Sequence, residues 1–114
     1  MKNFDLGEFK CKCCGVQHMD GIFLAMLDNA RDYASVPFKI TSGYRCPKHN
    51  ADVGSTSANH TSGKASDIEC KDGPDRLKMV QGLFKAGFRR LGIGPSFIHA
   101  DSMDSIESIW LYSK

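Results

Sequence analysis

Three side chains in this 114-residue sequence are placed to share a metal ion: His60, Asp67 and His99. His60 closes a long polar loop, Gly63 permits a tight turn, and Asp67 follows the histidine by seven residues, within a short strand centred on Ile68. A loop doubling back through Gly63 brings an imidazole nitrogen and a carboxylate oxygen to one point, and both groups bind zinc at about 2.0–2.2 Å. His99 is the candidate third ligand. It lies in the apolar run Phe97-Ile98-His99-Ala100-Asp101, and a buried histidine needs partners on its ring nitrogens. Three protein ligands and one open position are what a catalytic zinc requires, because the fourth place holds the attacking water.

The elements that must position these groups can be read from periodicity. Residues 1–19 show no period and read as an extended arm anchored by Phe4, Leu6 and Phe9. Phe23, Met26, Leu27, Ala30 and Tyr33 or Ala34 recur at helical spacing, which predicts a helix over 20–33 capped by Asp20 and ended before Pro37. Residues 38–41 alternate as a strand. Residues 43–63 are rich in Ser, Asn, Gly and Pro, with one short helical turn expected in 47–53. After the strand at 65–69, a second helix is predicted with Asp75 as its cap, Leu77, Val80, Leu83 and Phe84 as its buried stripe, and Gly87 as its stop. Residues 89–93, 97–101 and 109–112 read as three further strands. The order implies a single α+β domain over residues 1–114, with helices on one face of a small, mostly antiparallel sheet.

Composition narrows the function. A 41% hydrophobic and 25% charged chain is ordinary globular material, and 15 basic against 13 acidic residues leave a net charge of +2. That is far from the basic excess of a protein that grips nucleic-acid phosphates. No apolar run approaches the roughly 18 residues of a membrane span. Asp5 and Glu8 stand where a signal peptide needs an uninterrupted apolar stretch, so synthesis in a cytoplasm without a signal peptide is the expectation. The five cysteines, Cys11, Cys13, Cys14, Cys46 and Cys70, do not suggest a complete disulfide framework. They read as small packing residues beside the N-terminal segment, a zinc or disulfide role for some being the alternative.

The stretches Ser42-Gly43-Tyr44-Arg45-Cys46-Pro47 with Asn50, Val53-Gly54, His60-x-x-Gly63-x-Ala65-x-Asp67-Ile68 and Phe97-Ile98-His99-Ala100-Asp101, followed by Trp110, resemble the M15 family of zinc peptidases. That group includes D-Ala-D-Ala carboxypeptidases and phage endolysins that cut peptidoglycan stem peptides. The likeness runs from Phe9 to Trp110 and is closest to subfamily A of that family, which implies a hedgehog/DD-peptidase-like fold. It implies that His60, Asp67 and His99 hold Zn2+. It also implies that Arg45 points into the cleft, to grip a peptide carboxylate or polarise the scissile carbonyl.

Two positions depart from the family pattern. Ala58 stands where a serine usually precedes the first histidine, and Ser96 stands where many members carry the general-base carboxylate. Asp101, on the same strand face as His99, is the expected replacement base. His18 and His49 read as solvated, Glu69 and Asp72 as strand-end and turn acids, and Trp110 as core. The implied function is metal-activated hydrolysis of cell-wall peptides by a monomer, with neither nucleic acid nor membrane as partner, acting after phage-mediated release or on a virion. The competing reading is a zinc-binding wall-recognition module of the same fold that has lost catalysis, favoured by Ser96.

Overall fold

The computed structural model describes residues 1–54 and 59–112, so the departure at Ala58 lies outside the described residues. Helix α1 spans Gly21–Ala34, and Asp20 caps it by accepting a hydrogen bond from the Phe23 amide at 2.9 Å. Strand β1 is Ile40–Ser42, helix α2 is Pro47–Asp52 and strand β2 is Ala65–Glu69. Helix α3 spans Gly73–Lys85, and strands β3, β4 and β5 are Arg90–Ile93, Phe97–Asp101 and Ser108–Leu111. The five strands form one sheet in the order β1-β2-β4-β3-β5, antiparallel except for the parallel β3–β5 pair.

Phe23, Leu27 and Ala30 of α1 and Met79 and Leu83 of α3 pack with Ile68, Leu91, Ile98 and Ala100 of the sheet to make the core. Because side chains alternate along a strand, the residues between these core positions point to the opposite face. They are Asp67, Glu69, Arg90, Gly92, Phe97, His99 and Asp101. One face of the sheet therefore holds the domain together, and the other carries the chemistry.

The arm is tied down by Phe4 and Phe9, whose rings meet edge to face at 5.6 Å, whereas Leu6 is exposed. Helix α3 is capped by Asp72, not Asp75: the Asp72 carboxylate accepts from the Asp75 amide at 2.8 Å. Its buried stripe is also rotated from the expected one, with Met79, Gly82 and Leu83 inward and Leu77 and Phe84 exposed. The cause is a close helix crossing. A Cβ on Gly82 would stand 2.6 Å from the Ala30 carbonyl oxygen, so the face that meets α1 is chosen by small size as much as by hydrophobicity.

Candidate metal centre

Asp67 and His99 are directly opposed residues of β2 and β4. His60 reaches them from a short 3-10 turn, His60–Ser62, that ends at Gly63 with φ +76. A side chain at position 63 is excluded twice, by the left-handed backbone and by a built Cβ that would overlap the His18 carbonyl. The Gly63 carbonyl also accepts from the Asp20 amide at 2.9 Å, so the turn that returns the chain from His60 to β2 is anchored on the start of α1.

The three groups converge on one carboxylate oxygen. Asp67 Oδ1 lies 3.4 Å from His60 Nε2 and 3.0 Å from His99 Nδ1. Ligand atoms around a tetrahedral zinc with bonds near 2.0 Å are about 3.3 Å apart, so the spacing suits that ion. The outer ring nitrogens support the same arrangement. His60 Nδ1 lies 2.8 Å from the Gly43 carbonyl oxygen, which can only accept; Nδ1 therefore carries the proton and the Nε2 lone pair faces Asp67. His99 Nε2 lies 2.7 Å from Asp101 Oδ2 and donates to it, which leaves the Nδ1 lone pair for an ion beside Asp67. A carboxylate or carbonyl behind each ligating imidazole is how proteins fix the tautomer and raise ligand basicity.

The same geometry corrects the expectation that Asp101 is the base. Asp101 stands behind the His99 ring with no exposed side-chain surface. Its Oδ1 accepts from Arg90 Nε at 2.6 Å and from the Met103 amide at 3.1 Å. Its Oδ2 accepts from Asn59 Nδ2 at 3.2 Å as well as facing His99. With both oxygens engaged on the far side of the imidazole, this carboxylate is placed to orient the His99 ring rather than to take a proton in the cleft. Its position after the histidine is legible in sequence, but the ring that separates it from the cleft is not.

The electrostatics follow from these contacts. With no ion bound, burial raises the Asp67 carboxyl pKa, but the facing ring nitrogens of His60 and His99, once protonated, donate hydrogen bonds that outweigh burial and hold the group well below the usual carboxylate range. Burial likewise opposes ionisation of Asp101, and His99 with Arg90 reverses the balance to a lowered pKa. For His99, burial favours the neutral ring, yet the hydrogen bonds to Asp101 and Asp67 raise its pKa above the ordinary histidine value.

Arg45, Asn59, Phe97 and Tyr112 join the three ligand candidates in lining a cleft of about 220 Å³. The Arg45 amide donates to the His60 carbonyl at 3.2 Å, and its Nε is buried with no hydrogen-bond partner among the described residues. His49 lines a neighbouring groove, and His18 is exposed and packs edge to face on Tyr44 at 5.2 Å. Trp110, expected in the core, instead walls the site: its ring centroid is 5.6 Å from that of His99, with the Arg90 guanidinium 5.1 Å from it on the ring face. Tyr112, which the sequence pattern does not single out, closes the same wall, 6.4 Å from His99.

Both aromatics depend on Gly92, the β3 residue paired with His99 on one side and Trp110 on the other. A Cβ there would stand 2.4 Å from the Tyr112 ring and 2.6 Å from Trp110 Nε1. Gly92→Ala is expected to cost about 1–3 kcal/mol through overpacking and to displace Trp110, the only tryptophan. A lowered melting temperature with a red-shifted tryptophan emission would show this; an unchanged spectrum would mean the wall does not rest on Gly92.

The family model described as Peptidase M15 matches residues 2–101. The chain belongs to the M15 peptidase family. Comparison with curated proteins returns no match. M15 peptidases are zinc enzymes, and His60, Asp67 and His99 are candidate metal-binding residues of this chain.

Proposed function

We propose that this protein is a zinc-dependent peptidase that hydrolyses the stem peptides of bacterial peptidoglycan. The observation that carries the reading is the convergence of two imidazole nitrogens and one carboxylate oxygen, each imidazole with its tautomer set from behind, in a chain of this family. A zinc ion held by His60 Nε2, Asp67 Oδ1 and His99 Nδ1 would polarise the scissile carbonyl and make water a nucleophile near neutral pH.

The surroundings favour an anionic peptide. A groove of about 310 Å³ runs from Asp67 along Ser42–Arg45 toward Lys10 and Lys12. A second, of about 410 Å³, runs from Asp67 past Phe97 toward Lys39 and Lys71. The first flank of the metal centre thus offers Lys10 and Lys12 to a peptide carboxylate, whereas Lys39 and Lys71 on the second are paired with Glu69. Arg45, which lines the cleft and has a buried Nε without a partner among the described residues, is the group we assign to the substrate carboxylate or to the developing oxyanion. Arg45→Lys keeps the charge and loses the planar fork. It is expected to lower kcat/KM on a stem peptide by about tenfold to a hundredfold while zinc content stays unchanged. An unchanged kcat/KM would remove Arg45 from the site.

The proton acceptor in this reading is Glu69. It lies two residues along β2 from Asp67 on the same face, in the groove that also contains Ser96, the position where many family members carry their carboxylate. Lys71 at 2.8 Å and Lys39 at 3.5 Å hold it ionised, with its pKa lowered chiefly by the Lys71 hydrogen bond. Glu69→Gln is expected to abolish the acid limb of the pH–rate profile and leave zinc bound. Retention of that limb would rule Glu69 out. Monomeric action and release by a phage belong to the same proposal; their support is the family likeness alone. Among the described residues no helix is long and apolar enough to cross a membrane.

A defined stem peptide tested with a free and an amidated C-terminus separates the two modes of cutting. Loss of cleavage on amidation indicates a carboxypeptidase, and its retention an endopeptidase. No cleavage of either form by the zinc-loaded protein would favour the non-catalytic recognition module.

A further inference from the structure

A second group of potential ligands lies apart from the His60–Asp67–His99 centre. The side chains of Cys11, Cys13, Cys14 and Cys46 place their four sulfurs within 4.8 Å of one another. Three come from a single turn and the fourth from the start of α2, more than thirty residues later. We propose that these four cysteines bind a structural Zn2+ that ties the N-terminal arm to the loop carrying Arg45.

The local structure is that of a metal-binding turn. Cys11 to Cys14 is a C-x₂-C step followed by Gly15 at φ +75. The turn is closed by hydrogen bonds from the Gly15 amide to the Cys11 carbonyl at 2.8 Å and from the Cys11 amide to the Val16 carbonyl at 2.7 Å. Sulfurs around a tetrahedral zinc, with bonds near 2.3 Å, stand about 3.8 Å apart. Cys13 Sγ lies 3.2 Å from Cys46 Sγ and 3.5 Å from Cys11 Sγ, so only small side-chain rotations separate the cluster from that geometry. Two backbone amides already point at sulfur, Cys46 N at Cys11 Sγ and His49 N at Cys46 Sγ, each at 3.4 Å. Such donors suit thiolates, and metal binding would release the thiol protons to solvent.

A disulfide accounts for this arrangement less well. One bond would consume two sulfurs and leave two more thiols crowded beside it, two of the four cysteines being adjacent in sequence. Cys70, buried in the core, takes no part. Placement gives the cluster a purpose. The Tyr44 amide donates to the Phe9 carbonyl at 2.9 Å, and the carbonyl of the same peptide group, that of Gly43, sets the His60 tautomer. A clamp between Cys11 and Cys46 therefore fixes the segment that presents both that carbonyl and Arg45. For so small a domain, a metal staple supplements a limited core.

The test uses the whole chain, purified under reducing conditions without chelator, with zinc measured by mass spectrometry. About two zinc ions per chain are expected for the natural sequence, and about one for the His60→Ala/His99→Ala variant and for Cys13→Ser/Cys46→Ser. Loading the double-histidine variant with Co2+ should give the intense thiolate-to-cobalt charge-transfer absorption of a sulfur site, a readout that needs no cysteine substitution and no peptidase activity. Absence of that absorption in a folded double-histidine variant would overturn the proposal. So would a mass showing disulfides among these four residues in freshly purified protein. Neither result bears on the histidine centre, whose failure would appear as lost activity with the cobalt–thiolate band intact.

Discussion

Asp67→Ala is expected to abolish zinc binding at the histidine centre and to lower peptide hydrolysis by at least about 10³-fold, or roughly 4 kcal/mol of barrier. Asp67 Oδ1 is the atom that a ring nitrogen of each histidine faces, at 3.4 and 3.0 Å, so its removal takes away the shared vertex of the site. Two neutral imidazoles do not compensate the ion's charge as a carboxylate does. The fold should survive, because Asp67 is partly exposed and points away from the core cluster of Ile68, Leu91 and Ile98. Zinc content, circular dichroism and hydrolysis measured on one preparation check this. Retained activity with the histidines intact would mean that the metal, or the reaction, lies elsewhere.

Asp101→Ala has a different expected signature, because the lost carboxylate holds His99 from behind and neutralises the partly buried Arg90. Loss of the group that orients a ligand weakens metal affinity or activity by about 10–100-fold. Leaving Arg90 Nε without its partner at 2.6 Å adds an unpaired, largely buried charge, a change that costs about 3–5 kcal/mol in comparable pairs. The pH dependence follows from the lowered Asp101 pKa. Its contribution to folding is present above the unfolded carboxylate value near 4 and is lost as pH falls through the lower folded value. The natural protein should therefore lose stability on acidification below about pH 4, more steeply than the variant. If Asp101 were the base, zinc affinity would be unchanged and only the acid limb of the rate profile would vanish. Zinc titration beside the pH–rate profile separates the two roles.

The spacing of His60, Gly63 and Asp67, and the alternation around Ile68 and Ile98, carry enough information to place Asp67 and His99 on strands and His60 at the end of a loop. Those are local patterns. What the pattern does not contain is the neighbour across the sheet. Arg90 and Gly92 are visible as residues of a strand, but their partners, Asp101 on one side and Trp110 on the other, exist only once β3 has paired with both β4 and β5. The roles of Asp101 and Trp110 are misread from sequence for one reason: each depends on a side chain brought in from another strand.

Helix α3 shows the same limit. Its hydrophobic period is genuine, but Gly82, which contributes nothing to an apolar count, sets the buried face through its contact with α1. Cys46 is the clearest case. In sequence it is an isolated cysteine before a proline; in the fold it joins the Cys11–Cys14 turn because Phe9 and Tyr44 pair their backbones beside it.

The central claim is best tested by digesting purified peptidoglycan with the whole chain and weighing the released fragments, with and without a chelator and after zinc is restored. The account predicts fragments whose masses correspond to a cut peptide bond in the stem, their disappearance with chelator, and their return with zinc. Release that is indifferent to metal removal would contradict the zinc mechanism. No release from walls of several chemotypes by the zinc-loaded protein would contradict the assigned substrate.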